Sequence, residues 1–156
     1  MTARIQLHFQ KNELQATDRN GKTIWKKRFP DNDVVGVECR GERVFVTLTQ
    51  GLCCLTQASG KEIWKAPAKG YTRYTGKATI YEDTVMVSFW ASGAYLHCRT
   101  DAFDATTGKL LWDAVGELKQ VTKTRVVLER RFPVLDPTPH ELVSHVQLDR
   151  RSGKER

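Results

Sequence analysis

One tandem repeat constrains this 156-residue chain more than any other feature. Four segments align on a Gly-Lys pair: Thr17-Asp18-Arg19-Asn20-Gly21-Lys22-Thr23-Ile24-Trp25, Thr56-Gln57-Ala58-Ser59-Gly60-Lys61-Glu62-Ile63-Trp64, Asp104-Ala105-Thr106-Thr107-Gly108-Lys109-Leu110-Leu111-Trp112 and Asp149-Arg150-Arg151-Ser152-Gly153-Lys154-Glu155-Arg156. The glycines stand 39, 48 and 45 residues apart, and the fourth copy stops one position short of its tryptophan. A period of this length marks an array of small supersecondary units.

Each repeat position has a physical task. Asn, Ser or Thr before Gly suits a short hairpin whose glycine needs positive φ. Asp or Thr at the start of the loop accepts hydrogen bonds from amides inside the turn. Beyond the turn, Ile24-Trp25, Ile63-Trp64 and Leu111-Trp112 read as strand neighbours that put large apolar groups on both faces. The Trp ring then fills the gap to a neighbouring sheet while its N–H finds a backbone acceptor.

Upstream of each turn the apolar period is two. Val44-Phe45-Val46-Thr47-Leu48-Thr49 and Leu52-Cys53-Cys54-Leu55 flank Gln50-Gly51. Ala78-Thr79-Ile80-Tyr81 and Thr84-Val85-Met86-Val87-Ser88-Phe89-Trp90 flank Glu82-Asp83, and 126–128 and 142–148 occupy the same slots later. No stretch keeps helical spacing. The reading is an all-β chain of about fourteen strands, a β-propeller of four-stranded antiparallel blades with about four blades per chain. The single domain 1–156 divides into units of roughly 1–29, 30–67, 68–114 and 115–156.

The repeat resembles the tryptophan-docking repeat of the quinoprotein (PQQ-dehydrogenase-like) β-propellers, whose outer hairpin reads Ala-x-Asp-Ala-x-Thr-Gly-x-x-x-Trp. Residues 102–112 match that form at every defined position, and the other copies match more loosely. The resemblance implies a blade architecture in which Gly21, Gly60, Gly108 and Gly153 make the turns, Asp104 caps one of them, and Trp25, Trp64 and Trp112 dock blades. The family contains calcium–PQQ alcohol dehydrogenases and non-enzymatic scaffolds, so it speaks to fold before activity.

The first unit begins inside a blade and the fourth ends before an outermost strand, which gives two full blades between two three-stranded ones. Such an open array is expected to expose an apolar blade face and strand edges. The family's rings usually have eight blades, so two chains joined head to tail would complete one. The expectation is a homodimer, with a self-capped monomer or a truncated product as alternatives.

Composition narrows the function classes. A net charge of +7 favours an acidic partner or nucleic acid. No apolar run approaches the roughly 20 residues of a membrane-spanning helix. The N-terminus alternates apolar and polar residues where a signal peptide would be continuously apolar, so the expected location is the cytoplasm. Cys39, Cys53, Cys54 and Cys98 lack C-x-x-C spacing and read as core residues. His140 and His145 are one residue too far apart for the zincin spacing, so no metal site is expected. PQQ chemistry would need acidic and amide ligands on inner strands that no motif supplies, so no cofactor and no catalytic residue is assigned.

Two surfaces remain as binding candidates. Lys69, Tyr71, Arg73, Tyr74 and Lys77 mix cations with stacking rings, as a nucleic-acid surface requires, and 26–28, 130–131 and 150–154 add basic clusters. The stretches 90–95, with Trp90 and Tyr95, and 132–139, stiffened by prolines, read as loops suited to protein contact. The leading function is a non-enzymatic scaffold for protein–protein interaction, with nucleic-acid binding as the alternative and a PQQ-dependent oxidoreductase as a distant one.

Overall fold

The computed structural model describes residues 4–70, 72–91, 97–134 and 140–156. It holds fourteen strands in four antiparallel sheets and no helix among the described residues. The chain divides into two compact units, Met1–Ala78 and Thr79–Arg156.

In the first unit, β1 (Gln6–Gln10), β2 (Glu13–Thr17) and β3 (Thr23–Arg28) form one sheet. The second consists of β4 (Val34–Arg40), β5 (Arg43–Leu48), β6 (Gly51–Thr56) and β7 (Glu62–Pro67), in sequence order. Leu14, Ala16 and Trp25 pack with Val44, Val46, Leu48, Cys53 and Leu55, and Phe29 of the connection and Val34 at the start of β4 complete this core. Period-two alternation puts Val44, Val46 and Leu48 on one face.

In the second unit, β8 (Thr79–Tyr81), β9 (Thr84–Ala91), β10 (His97–Asp104) and β11 (Leu110–Val115) form a sheet. Beside it lie β12 (Glu117–Val121), β13 (Arg125–Val134) and β14 (His140–Asp149). Met86, Ala102 and Trp112 pack with Val126, Leu128 and Leu148.

The same joint holds each pair of sheets. The Trp25 indole N–H donates to the Gln57 carbonyl at 2.8 Å, and the Trp112 indole N–H donates to the Arg150 carbonyl at 2.8 Å. Each acceptor lies three residues before a repeat glycine on the neighbouring hairpin. The ring lies against that glycine: a Cβ on Gly60 would stand 2.6 Å from the Trp25 ring, and one on Gly153 would stand 2.5 Å from Trp112. Both glycines also have positive φ, so close approach and backbone geometry both select glycine.

The hairpin caps depart from the aligned repeat in one copy. Asp104 accepts the N–H groups of Thr106 and Thr107, and Asp149 accepts those of Arg151 and Ser152. Thr56 Oγ1 accepts the Lys61 N–H. In the first copy the cap is Asp18, not the aligned Thr17, and Gly21 N–H returns to the Asp18 carbonyl. Gly60, Gly108 and Gly153 instead return to residues four before them, so the first turn is one residue tighter. A Cβ on Gly21 would meet nothing within 4 Å, so no ring lies against this turn.

The expected two-sided apolar strand after each turn is also corrected. Register shifts between Ala16/Thr17, Cys54/Leu55 and Ala102/Phe103 leave Ile24, Ile63 and Leu111 unpaired, immediately before each tryptophan. The bulge turns Trp25, Trp64 and Trp112 into buried positions, while Ile24 and Ile63 stay exposed. Trp64 also sits 6.1 Å from the Phe45 ring, centroid to centroid.

The expectation of an exposed apolar blade face is met only at Val143, 48% exposed, among the described residues on the outward faces of the end sheets. The face of β1–β3 opposite its core carries Gln6, His8, Gln10, Glu13, Gln15, Lys26 and Arg28, with Glu13 between Lys26 and Arg28. The corresponding face of β13 and β14 carries Glu129, Arg131, Val143, His145 and Gln147. There Glu129 is paired with Arg131, Lys119 and His145.

Candidate functional site

Among the described residues, exposed large apolar side chains lie in both units: Phe9, Ile24 and Ile63 in the first, and Trp90, Phe132, Leu142 and Val143 in the second. On β9, Met86 lies in the core, Ser88 Oγ accepts the Leu118 N–H at 3.0 Å, and alternation places Trp90 on that same face two residues further. On β13, Val126 and Leu128 lie in the core and Phe132 falls on their face, with Leu142 of β14 directly opposite it. Between them Arg130 donates from Nε to the Val115 carbonyl at 3.0 Å, and Val115 pairs with Arg99, the partner of Phe89. Trp90, Phe132 and Leu142 therefore continue the facing apolar rows of two sheets beyond the point where the sheets close. They are 54%, 45% and 55% exposed.

This surface was half visible in the sequence. Trp90, read both as the end of the strand from Thr84 and as the start of a loop, lies in β9; Phe132 was expected in a proline-stiffened connection and lies in β13, which runs to Val134. Tyr95 and residues 135–139 lie outside the described residues. Leu142 was not singled out, although Leu148, Val146, Ser144 and Leu142 form one alternating row that leads to it.

The second candidate surface does not form as expected. Tyr74 is 1% exposed and its backbone N–H donates to the Thr49 carbonyl, so its ring is unavailable to stack on a base. Lys77 backs onto Gly36, where a Cβ would stand 2.3 Å from the Lys77 Cα, and its ammonium faces Glu38 at 3.7 Å. Lys69 and Arg73 are exposed, and Tyr71 lies outside the described residues. The other basic clusters are engaged with carboxylates: Lys26 and Arg28 with Glu13, Lys27 with Glu62, Arg130 with Glu155, and Arg131 with Glu129 and Glu141.

Arg150, expected as part of a basic surface cluster, is 5% exposed. Its Nε donates to the Lys123 carbonyl at 2.9 Å, and its other nitrogens reach Asp83 at 2.6 Å, Glu82 at 3.3 Å and the Thr84 hydroxyl. The guanidinium also lies 5.5 Å from the Tyr81 ring centroid. The hydrogen bond from Arg150 holds the Asp83 carboxyl below its usual range. A planar five-donor group suits this enclosure, which ties the β8–β9 turn to the last hairpin.

Among the described residues, the candidates for a calcium–PQQ centre do not fit one. Cys53 and Cys54 are unpaired and buried in the middle of β6, on opposite faces. Burial pushes their thiols up to about 12 and about 11, so they are inert packing groups. Cys39, expected in the core, is exposed. The acidic residues of the inner strands already have cations: Glu38 has Arg40 and Lys77, and Glu117 has Lys119.

A hollow of about 520 Å³ lies beside the Trp25 joint. Ile5, Ile24, Glu42 and residues 56–59 line it.

The family model described as outer membrane protein assembly factor BamB matches residues 10–156. The chain belongs to this PQQ-like β-propeller repeat family. Solved structures agree on the fold. Quinohemoprotein alcohol dehydrogenase from Comamonas testosteroni superposes with a TM-score of 0.72 at 19% identity, covering 97% of this chain and 32% of that one. BamB from Moraxella catarrhalis gives 0.66 at 16% identity, covering 98% and 44%. Quinohemoprotein alcohol dehydrogenase ADHIIG from Pseudomonas putida HK5 gives 0.75 at 14% identity, covering 100% and 32%. The chain thus spans less than half the length of each of these proteins. A search of curated proteins finds no match. The fold is that of a partial β-propeller, and its sheets are PQQ-type blades.

Proposed function

We propose that this chain is a non-enzymatic propeller scaffold that binds another protein through the Trp90–Phe132–Leu142 surface and that self-associates. The observation that carries the reading is the exposure of these three large apolar side chains on facing rows of two sheets. Clustered apolar groups of this size mark contact sites, and aromatic anchors dominate the energetics of such sites. The filled repeat positions, the paired carboxylates of the inner strands and the inert Cys53-Cys54 pair favour a scaffold over a redox centre.

The test compares the full chain with a Trp90→Ser/Phe132→Ser variant as bait in native lysate, quantified by mass spectrometry. A set of proteins retained by the full chain and depleted at least tenfold by the variant, at unchanged Tm, is the expected result. Equal retention by both baits contradicts the surface. Dye reduction on addition of PQQ and calcium contradicts the non-enzymatic reading, and salt-sensitive retention of RNA by the chain redirects it to nucleic acid.

A further inference from the structure

The first hairpin turn carries a chemistry that the other three lack. Asn20 is the one asparagine of the chain that precedes a glycine; Asn12 precedes Glu13 and Asn32 precedes Asp33. Where glycine follows asparagine, no Cβ shields the next backbone nitrogen from the side-chain amide.

The turn leaves both groups accessible. Asn20 is exposed, and its carboxamide has no hydrogen-bond partner among the described residues. Only its backbone N–H is engaged, donating to Asp18 Oδ1 at 2.8 Å. The aligned side chains of the other copies are tied back to their caps. Ser59 Oγ stands 2.6 Å from Thr56 Oγ1, Thr107 Oγ1 donates to Asp104 at 3.2 Å, and Ser152 Oγ donates to Asp149 at 2.9 Å. The tighter first turn accounts for the difference: Asn20 stands two residues after its cap, whereas Ser59, Thr107 and Ser152 stand three after theirs.

The Gly21 N–H is also the most loosely held of the four. It lies 3.1 Å from the Asp18 carbonyl, against 2.9, 2.8 and 2.9 Å for the bonds of Gly60, Gly108 and Gly153. Exposure belongs to this place in the hairpin, since Ser59, Thr107 and Ser152 are exposed too, even where a neighbouring tryptophan lies against Gly60 and Gly153. The Asn32 carboxamide, by contrast, accepts the Gln50 N–H at 2.9 Å and the Thr49 hydroxyl at 3.4 Å.

We propose that Asn20 is a modification site at which the folded chain loses ammonia without an enzyme, in a reaction that consumes only water. The Gly21 nitrogen gives up its proton and attacks the Asn20 Cγ. A bond forms between them, the Cγ–Nδ2 bond breaks, and the amide nitrogen leaves as ammonia with the proton that the peptide nitrogen released. Water then opens the five-membered succinimide at either carbonyl. Opening at Cγ leaves the backbone intact as aspartate; opening at the other carbonyl leaves isoaspartate, whose backbone runs through Cβ and Cγ. No atom is oxidised or reduced.

Either product adds a carboxylate two residues from that of Asp18, which receives the Asn20 and Lys22 N–H groups. The isoaspartate also lengthens the backbone between Asp18 and Lys22, whose N–H and carbonyl are bonded at 2.9 Å, so it loosens the turn and the Thr17–Thr23 pair that follows it.

Incubation of the full chain at mildly alkaline and mildly acidic pH, followed by cation-exchange separation and peptide mass spectrometry with fragmentation, tests the proposal. Conversion at Asn20 should run at least tenfold faster than at Asn12 or Asn32 and faster at alkaline pH, where the attacking nitrogen loses its proton more readily. Part of the product should accept a methyl group from an isoaspartyl methyltransferase. The folded chain should convert within tenfold of the rate in urea, because the turn leaves both reacting groups free. Asn20→Ser, which copies the second turn, should leave Tm unchanged and abolish the acidic species. Conversion at Asn20 no faster than at Asn12 and Asn32, an equal amount of acidic species from Asn20→Ser, or a folded rate more than tenfold below the rate in urea each overturns the proposal.

Discussion

The Trp25 joint of Met1–Ala78 and the Trp112 joint of Thr79–Arg156 use the same contacts: an indole N–H on a hairpin carbonyl and a ring on a glycine. What surrounds them differs. In the first unit Phe29 of the connection and Val34 at the start of β4 pack behind the joint with residues from both sheets. The second has instead the enclosed Arg150, whose guanidinium binds Asp83, Glu82, Thr84 and the Lys123 carbonyl. Gln57 and Arg150 occupy the same repeat position, yet the acceptor in both cases is the backbone carbonyl. The repeat therefore specifies the joint through backbone geometry and leaves the side chain free to vary, and the second unit has used that freedom for a polar clamp.

The contrast can be broken at several points. Trp25→Ala and Trp112→Ala remove rings that are 8% and 7% exposed, and each should cost about 3–5 kcal/mol in chemical denaturation of its own unit. Gly60→Ala and Gly153→Ala combine positive φ with a ring in the way and should cost about 2–4 kcal/mol, whereas Gly21→Ala, with open space above it, should cost about 1 kcal/mol. Equal losses at all three glycines would show that ring contact adds nothing to backbone strain.

Arg150→Ala should destabilise the second unit by about 2–3 kcal/mol, since it strips partners from a buried cation site whose carboxylates remain partly solvated. Gln57→Ala, at the matching position, should change the first unit by less than about 0.5 kcal/mol. Hydrogen exchange resolved over the two units separates these effects.

Acid gives the smallest and sharpest difference. Asp83 is held below its usual range by Arg150, so its contribution is present above the unfolded value of about 3.9 and is lost as pH falls through the folded value. Asp149, whose carboxyl accepts the Ser152 N–H and pairs with Arg156, is shifted in the same direction. Below about pH 4 the second unit should therefore lose protection, and Arg150→Ala should remove the Asp83 part of that loss.

Much of the fold was legible because a hairpin with Gly at positive φ and a tryptophan four positions later has few ways to pack. The bulge before each tryptophan was not, since Ile24 and Ile63 look like ordinary strand neighbours and only the register shift reveals them. Asp18 displaced Thr17 as a cap because the first turn is one residue tighter, which a shared Gly-Lys alignment conceals. Tyr74 and Arg150 read as surface groups from their neighbours in sequence, while long-range partners bury them. Trp90 and Phe132 were flagged from separate stretches; that they face the same way depends on strand parity counted from Met86 and Leu128, which needs the pairing of both sheets.

The most direct measurement is exchange of the indole N–H protons with deuterated water, followed by NMR on the tryptophan side chains. The joints predict slow exchange for Trp25 and Trp112, whose N–H groups are held by the Gln57 and Arg150 carbonyls, and immediate exchange for the exposed Trp90. Exchange of Trp25 and Trp112 as fast as that of Trp90 would mean that the tryptophans do not lock neighbouring sheets together.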